Sequence, residues 1–368
     1  MNDVLARGDA DATAVVVPGG SRLTYAQLRE EVGRAAETLA RLGLRRDDRI
    51  ALVLPNSLET IVMFLAAATA GTAAPLNAAY KEAEFRFYME DVEAQALVVP
   101  RGGGEAARRA LPRGALLIEA AVDGGRVAIQ LVSGSNGSRS PDQPRGDDVA
   151  LVLHTSGTTS RPKLVPLRQR NLAYSAETIA STYRLTPDDV AMCVMPLFHV
   201  HGLMASVLAT FHSGGTVVVP PAFDAMTFWP VLAEHRATWY SAVPTIHQMR
   251  LLRNRGERPP GAGRLRFIRS SSSALPPEIL RQLESRFGAP AIEAYGMTEA
   301  SHQMASNPLP PGERRAGTVG VQTGIRVGVI DEHGAALPAG TPGEVAIQGK
   351  SVIDGYEKNP EANAESFT

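Results

Sequence analysis

Short apolar segments that suit β-strands alternate with helical patterns along most of the chain, and this alternation constrains the fold most strongly. Residues 50–54 are continuously apolar, which is typical of a parallel strand covered on both faces. A capping box, Thr24 with Gln27, predicts the start of a preceding helix with one apolar face. Further helices are predicted at about 57–70 and 82–93. The pattern predicts an α/β fold with mostly parallel sheets and helices on both faces.

Three units are predicted along the chain. A polar, turn-rich stretch at 133–141 suggests an exposed linker, so we place a first α/β unit at 1–148, with N-terminal segments that cross between units. A second α/β unit is predicted at 149–308. Glycine, proline and short β-rich runs predict a small antiparallel, barrel-like unit at 309–368. Strands of the second unit are predicted at 149–154, 190–195, 216–219, 238–242, 265–269 and 291–295.

The charge balance and the cysteine content narrow the functional classes. The 368 residues include 37 Lys and Arg against 38 Asp and Glu, a formal net charge of −1. General nucleic-acid binders are strongly basic, so no nucleic-acid partner is expected. The most apolar stretch, 61–74, is too short to cross a bilayer, so no membrane span is expected. The single cysteine, Cys193, and the lack of a signal-peptide pattern favour a cytoplasmic location.

A strand that leads into a hydroxyl-rich turn predicts a polyphosphate-binding loop. Residues 155–163 have the sequence Thr-Ser-Gly-Thr-Thr-Ser-Arg-Pro-Lys and follow the predicted strand 149–154. Hydroxyl and backbone N–H groups donate hydrogen bonds to phosphate oxygens, and Lys163 adds a positive charge. Pro162 and Leu164 flank the lysine where a Walker A loop needs glycine and Ser or Thr. A polar turn with a solvated lysine is the alternative that this segment alone leaves open.

The loop resembles the signature of the acyl-adenylate-forming superfamily, which comprises acyl-CoA synthetases, luciferases and the adenylation domains of peptide synthetases. Further matching motifs follow in the family's order over residues 10–368. They are Pro-Leu-Phe-His-Val-His-Gly at 196–202, Ser-Ser-Ser-Ala-Leu at 271–275, Tyr-Gly-Met-Thr-Glu-Ala at 295–300, Gly-Glu-Val at 343–345 and Gly-Tyr at 355–356. The resemblance implies two stacked, mostly parallel sheets with flanking helices in an αβαβα arrangement, plus a small distorted β-barrel.

The resemblance also implies a reaction. Family members join a carboxylic acid to AMP, expel pyrophosphate, and pass the acyl group to a thiol, commonly that of coenzyme A. We therefore expect an AMP-forming acid–thiol ligase that uses ATP, Mg²⁺ and coenzyme A. The enzyme must neutralise charge and fix an in-line geometry, because an anionic carboxylate attacks an anionic α-phosphate.

Each residue that matches a family motif acquires an implied role. The loop hydroxyls and Lys163 would hold the β- and γ-phosphates, Thr298 would contact the α-phosphate, and Tyr295 would stack on adenine. Glu299 would ligate Mg²⁺, which proteins usually hold with one or two carboxylates plus phosphates. The implied catalytic residues are Lys163, His199, Thr298 and Glu299. The implied nucleotide-site residues are Thr155, Ser156, Gly157, Thr158, Thr159, Lys163, Ser273, Ala274, Glu293, Ala294, Tyr295, Gly296 and Thr298.

The acid substrate is predicted from a closer resemblance to the oxalate–CoA ligase branch, with malonate–CoA ligases as relatives. Segments 198–202 and 298–304 and the pair Ser160–Arg161 carry this resemblance. A small diacid has a second carboxylate that needs hydrogen-bond donors and cations rather than an apolar tunnel. The implied substrate residues are His199, which would gate the acyl pocket, His201, Arg269, Ser270, Ser271 and His302. Three alternatives stay open: a medium- or long-chain fatty acid ligase, a non-catalytic nucleotide-binding domain, and an adenylation partner of a carrier protein.

Two departures from the family pattern affect these expectations. Leu164 stands where the family usually has glycine, which would cost about 1 kcal/mol or more if the backbone needed a positive φ. The sequence stops at Thr368, before the ribose-binding motif and the C-terminal domain that relatives possess. We therefore expect the large N-terminal domain alone, with weak ATP binding and poor thioester formation, and the C-terminal domain as its natural closing partner.

Overall fold

The computed structural model describes residues 2–134, 137, 140, 142–155, 162–254, 256 and 258–367. The α-helices are Asn2–Ala6 (α1), Tyr25–Arg41 (α2), Leu58–Ala70 (α3), Glu82–Asp91 (α4), Glu105–Arg109 (α5), Gln169–Thr182 (α6), Ala209–His212 (α7), Phe228–Glu234 (α8), Pro244–Arg253 (α9), Pro277–Phe287 (α10) and Pro360–Ser366 (α11). A π-helix, His201–Leu208, leads into α7, and 3-10 turns lie at Ala262–Arg264 and Thr298–Ala300.

The β-strands are distributed over the whole chain. They are Thr13–Val16 (β1), Arg22–Thr24 (β2), Arg49–Leu52 (β3), Thr72–Pro75 (β4), Ala94–Pro100 (β5), Leu116–Asp123 (β6), Arg126–Ser133 (β7), Val149–Thr155 (β8), Lys163–Arg168 (β9), Val190–Cys193 (β10), Thr216–Val218 (β11), Trp239–Ala242 (β12), Phe267–Ser270 (β13), Ala291–Met297 (β14), His302–Ser306 (β15), Val321–Gln322 (β16), Arg326–Ile330 (β17) and Glu344–Gln348 (β18).

Two large sheets carry most of these strands. The first has the order β7-β6-β5-β3-β4-β8-β9 and is parallel except at its two antiparallel edges. The second has the order β16-β15-β14-β13-β12-β10-β11-β1-β2 and is parallel from β14 to β1. The predicted α/β class with mostly parallel sheets is therefore confirmed.

Apolar side chains form layers that match the expected αβαβα arrangement. One core lies between the two sheets and includes α3, a helix with buried residues on nearly all sides. A second core covers the outer face of the second sheet with α8 and α10, and a third covers the outer face of the first sheet with α4. The central core also contains Cys193, whose burial raises the pKa of its thiol to about 12. Among the described helices, none is long and apolar enough to cross a membrane.

The predicted unit boundaries do not coincide with the points where the chain changes from one sheet to the other. Strands β8 and β9, which follow residue 149, join the first sheet because β8 pairs with β4. Strands β1 and β2, at the other end, belong to the second sheet. The change of unit predicted at 149 thus does not coincide with the change of sheet. After residue 308, the chain adds β16 to the second sheet and forms a separate antiparallel pair, β17 with β18, where a barrel-like unit was expected.

Local sequence signals are confirmed in the helices. The side chains of Thr24 and Gln27 each accept a hydrogen bond from the other residue's backbone N–H at the start of α2. The helices expected at 57–70 and 82–93 are α3 and α4. The linker expected at 133–141 lies partly outside the described residues.

The structure removes the concern over Leu164. This residue lies opposite His154 in the antiparallel pairing of β8 and β9, and it is not among the residues with positive φ. Its side chain is 3% exposed and packs in the core on the outer face of the first sheet. Extended backbone accepts leucine without strain, so the conformational cost expected for a positive φ does not arise.

Leu164→Gly tests this packing. We expect the free energy of unfolding to fall by about 3 kcal/mol, because truncation of a buried leucine costs ~2–5 kcal/mol and glycine weakens strands. Leu164→Met keeps the volume and should cost less than about 1.5 kcal/mol. Urea unfolding followed by circular dichroism measures both. A glycine variant as stable as the wild type would contradict the packing described.

Candidate active site

The carboxyl ends of neighbouring parallel strands bring the predicted motifs to one edge of the second sheet. In the pairing of β13 with β14, Ser270 lies beside Glu293. Residues 271–275, which follow β13, and residues 295–299, at the end of β14 and just beyond it, therefore lie at the same edge of the sheet. Ligands of open α/β sheets generally bind at such an edge.

The phosphate-loop prediction falls mostly on residues outside the description. Ser156, Gly157, Thr158 and Thr159 lie there, together with Ser160 and Arg161. The two ends of the loop are defined, because Thr155 at the end of β8 pairs with Lys163 at the start of β9. The Oγ1 atom of Thr155 is buried and has no hydrogen-bond partner within the described residues. A buried hydroxyl without a partner at the start of this loop fits a site for a polar ligand.

Lys163 and Glu299 both contact Tyr356, a residue that was not predicted to belong to the site. The ammonium group of Lys163 lies 4.8 Å from the centroid of the Tyr356 ring. The Tyr356 hydroxyl donates a hydrogen bond to Oε1 of Glu299 over 2.8 Å. The loop end and the predicted metal-binding turn are therefore neighbours. Only the Gly-Tyr motif at 355–356 indicated Tyr356, and nothing in the sequence gave its contacts.

The segment around Tyr295 makes a close turn that requires glycine at 296. A Cβ atom at Gly296 would collide with the backbone carbonyl oxygen of His302. The backbone then passes through positive φ at Ser301 (53°) and at His302 (96°), a conformation that bulky side chains rarely adopt. This turn directs His302 into the protein interior, where it is 2% exposed.

The predicted adenine-side loop is anchored to β14. Oε1 of Glu293 accepts a hydrogen bond from the backbone N–H of Leu275 over 3.0 Å. Ser273 and Ala274 lie exposed just before Leu275, while Ala294 is buried in β14 next to Glu293. This hydrogen bond holds the loop beside the strand that carries Tyr295.

His199 and Thr298 line a common pocket at the entrance to the site. The ends of β4, α4 and β8 complete its wall, with His154 and Tyr88 among its residues. Nε2 of His154 lies 2.9 Å from Oδ2 of Asp91. His199 is exposed in this pocket.

His201 is separated from His199 and lies in a buried polar cluster around Arg269. Arg269 is fully buried, and its guanidinium contacts hydroxyl, amide and imidazole groups. The contacts are Nε to the Tyr183 hydroxyl (2.9 Å), Nη1 to Ser241 Oγ (2.9 Å) and His201 Nε2 (3.4 Å), and Nη2 to His302 Nε2 (3.1 Å) and Gln303 Oε1 (3.1 Å). No carboxylate of the described residues pairs with this guanidinium. Tyr183 and Ser241 were not predicted, because they come from distant parts of the chain, and Gln303 lies in the predicted segment 298–304 but was given no role.

Burial keeps the two histidines of this cluster neutral. Desolvation, with the positive charge of Arg269 as a further cause, lowers the pKa of His201 and of His302 well below the ordinary range. The predicted donors Ser270 and Ser271 are also buried, and their hydroxyls have no partner within the described residues. Arg269, His201 and His302, all predicted from sequence, are thus in contact, and Ser271 follows Arg269 by two residues. Ser270 was expected to join them, but side chains alternate along a strand, so it faces the other side of the sheet with Ile268.

A metal ion at this site would need a ligand that supplies further oxygens. Among the described residues, no group of three or more His, Cys, Asp or Glu side chains could hold a metal ion. Glu299 offers a single carboxylate, half-buried at the turn. A lone carboxylate suits Mg²⁺, which usually keeps waters and phosphate oxygens as its other ligands.

Comparisons with known proteins agree with this geometry. The AMP-binding enzyme family matches residues 3–357. A probable CoA ligase, CCL9, from Humulus lupulus is 46% identical over 97% of this chain and 70% of its own length. An oxalate–CoA ligase from Arabidopsis thaliana is 44% identical over 97% of this chain and 71% of its own. The crystal structure of ATP-bound MatB from Rhodopseudomonas palustris has a TM-score of 0.87 and 31% identity, covering 100% of this chain and 74% of that one.

The chain therefore belongs to the AMP-binding enzyme family. The resemblance to the acyl-adenylate-forming superfamily and the expectation of an AMP-forming ligase are confirmed at this level.

Buried neutral histidines make stability depend on pH. Burial lowers the pKa of His247 on α9, whose Nδ1 lies 3.5 Å from the Tyr240 hydroxyl, to about 4. The unfolded chain takes up a proton near pH 6.5 and the folded chain does not, so stability falls as the pH drops below 6.5. We expect His247→Asn to remove about 2 kcal/mol of the loss between pH 7 and pH 5.

Urea unfolding at a series of pH values measures this effect. His333→Asn, at a histidine side chain that is 81% exposed, is the matched control. An unchanged pH slope in His247→Asn would show that this histidine binds a proton as readily in the folded protein as in the unfolded chain.

Proposed function

We propose that the chain forms the adenylating part of an acid–CoA ligase whose substrate is a small diacid such as oxalate or malonate. The carboxylate of the acid attacks the α-phosphate of ATP, and pyrophosphate leaves. The thiol of coenzyme A then attacks the acyl carbon, and AMP leaves. The family match and the CoA ligases among the relatives support the reaction class.

The buried guanidinium of Arg269 is the observation that carries the substrate assignment. A buried charge is costly unless an opposite charge or a full set of hydrogen bonds compensates it. Among the described residues, only neutral groups contact Arg269, so its positive potential is available to an anion nearby. A fatty acid would bring no second charge to this region, which makes the fatty acid alternative the weaker one.

Arg269 acts on the diacid through His302. The contacts of Arg269 with neighbouring side chains occupy its donors, so direct binding would require one of them to break. Because Nε2 of the neutral His302 ring accepts from Arg269, its proton must be on Nδ1. His302 thus offers a donor whose partial positive charge Arg269 strengthens. Together with the unpartnered hydroxyl of Ser271, it would hold the distal carboxylate.

The nucleotide would occupy the adjacent edge of the sheet. Thr155, Lys163 and the hydroxyl residues between them would hold the β- and γ-phosphates, and Thr298 the α-phosphate. Tyr295, Gly296, Ser273 and Ala274 would surround adenine, with the backbone at 293–294. His199 lies in the same pocket as Thr298 and would separate this space from that of the acid. ATP in the similar MatB structure supports the assignment of a nucleotide.

Mg²⁺ would bind at Glu299 together with phosphate oxygens and would neutralise phosphate charge. This chain's own contribution there is a carboxylate oriented by the Tyr356 hydroxyl. The relatives named above are longer than the part that this chain matches, so the reaction is best assayed in the whole gene product.

Isotope exchange between pyrophosphate and ATP tests the substrate class. Oxalate and malonate should drive exchange in the whole gene product, whereas octanoate should drive little, because its chain would meet a buried polar cluster. Exchange driven by octanoate alone would contradict the diacid assignment. Exchange driven by no acid would contradict the adenylation step itself.

Arg269→Met tests the role of the guanidinium. We expect kcat/KM for oxalate in exchange to fall about 100-fold, or ~2.7 kcal/mol, because the distal carboxylate would lose a nearby positive charge and the polarised N–H of His302. Arg250→Met is the matched control. Arg250 is also buried, but it stacks on Phe228 and Trp229 on the outer side of the second sheet.

Equal losses in the two arginine variants would indicate a general effect of removing a buried arginine. Unfolding of each variant is followed in parallel, so that activity is compared at equal folded fraction.

A further inference from the structure

Tyr356 is held in place at its backbone, on the segment that follows β18. Its N–H donates to Oδ1 of Asn363 over 2.7 Å, and its carbonyl accepts from Nδ2 of the same side chain over 2.9 Å. The next residue, Glu357, donates its N–H to the Leu164 carbonyl over 3.0 Å and pairs with Arg49 over 2.7 Å. This segment is therefore tied to β9 directly beside Lys163.

Two sides of the Tyr356 side chain face two different charges. The ring face lies under the ammonium group of Lys163, at 4.8 Å from the ring centroid. The hydroxyl donates to the Glu299 carboxylate over 2.8 Å. A phenol hydroxyl ionises only at about pH 10, so it is a neutral donor at physiological pH.

If Tyr356 did not lie between them, Lys163 and Glu299 would form an ion pair. In such an ion pair, the lysine would be less available to bind a phosphate and the glutamate less available to bind a metal ion. An aromatic face attracts a cation without neutralising it, and a neutral hydroxyl orients a carboxylate while leaving its charge intact. Among the described residues, no carboxylate lies within ion-pair distance of Lys163, consistent with this separation.

We propose that Tyr356 is a positioning residue that keeps Lys163 and Glu299 apart and orients each toward a different part of a magnesium–nucleotide ligand. Its ring supports the phosphate-binding lysine, and its hydroxyl directs the free oxygen of Glu299 toward the metal ion. The inference rests on the proposed function, because it assumes that ATP binds at this edge.

The two parts of the role predict different effects on ATP binding. Tyr356→Phe keeps the ring and removes only the hydroxyl, so ATP affinity in EDTA should stay within twofold of wild type. The Mg²⁺ concentration needed for half-maximal tightening of ATP binding should rise about 3- to 10-fold. Loss of a group that orients a metal ligand typically lowers metal affinity about 10- to 100-fold, so this expectation lies at or below the low end of that range. Tyr356→Leu loses the aromatic face as well, so it should also weaken ATP binding in EDTA by about 3-fold or more.

Isothermal titration calorimetry of ATP, with EDTA and at a series of MgCl₂ concentrations, measures both effects without turnover. Tyr174→Phe is the matched control. The Tyr174 hydroxyl donates to the Gly324 carbonyl over 2.7 Å, and Lys350 lies 5.6 Å from its ring centroid. That variant loses the same hydroxyl beside a similar lysine contact and should bind Mg²⁺ and ATP as the wild type does.

The outcomes separate this inference from the proposed function. Wild-type protein that binds no ATP under either condition would refute the proposed function and the inference with it. Wild-type ATP binding that ignores Mg²⁺, or a Tyr356→Phe variant with an unchanged Mg²⁺ requirement, would refute the role of Tyr356 alone. Equal shifts in Tyr356→Phe and Tyr174→Phe would also refute it, because the effect would then not depend on Glu299.

Discussion

Parallel pairing of β13 with β14 is the constraint on which the candidate site depends. The pairing places Ser270 beside Glu293 and sends the next residues of both strands over the same edge of the sheet. One strand thereby leads to the hydroxyl of Ser271 and the other supplies the turn that carries Glu299. Because β14 then reverses into antiparallel β15, His302 returns beneath that edge and contacts Arg269. Backbone hydrogen bonding thus positions most of the polar groups of the site.

Charge is separated within this edge in two ways. Arg269 is buried and contacts neutral side chains, and no carboxylate of the described residues neutralises its charge. Lys163 contacts the ring of Tyr356, and Glu299 accepts a hydrogen bond from the hydroxyl of the same residue. In the proposed function, both arrangements would leave these charges available to the ligands.

Family motifs located the site in the sequence because they are contiguous, and each one occupies a single loop or turn. The segments 196–202, 271–275 and 295–300 were all predicted, and the structure brings residues of all three to one edge. Leu164 was misjudged because a family position that usually holds glycine suggested a special backbone, whereas the residue lies in an ordinary strand. His199 and His201 are two residues apart, yet one is exposed at the entrance and the other is buried, since a π-helix begins between them.

The sequence alone determined the α/β class, the helix starts and the set of motifs, because periodicity, caps and loop chemistry are local properties. It also indicated the chemistry of Lys163, Glu299 and Arg269 from residue type. Only the tertiary structure decided which groups meet: Tyr183, Ser241 and Gln303 around Arg269, and Tyr356 between Lys163 and Glu299. These contacts join residues tens to hundreds of positions apart, and strand order, which no local pattern encodes, sets their distances.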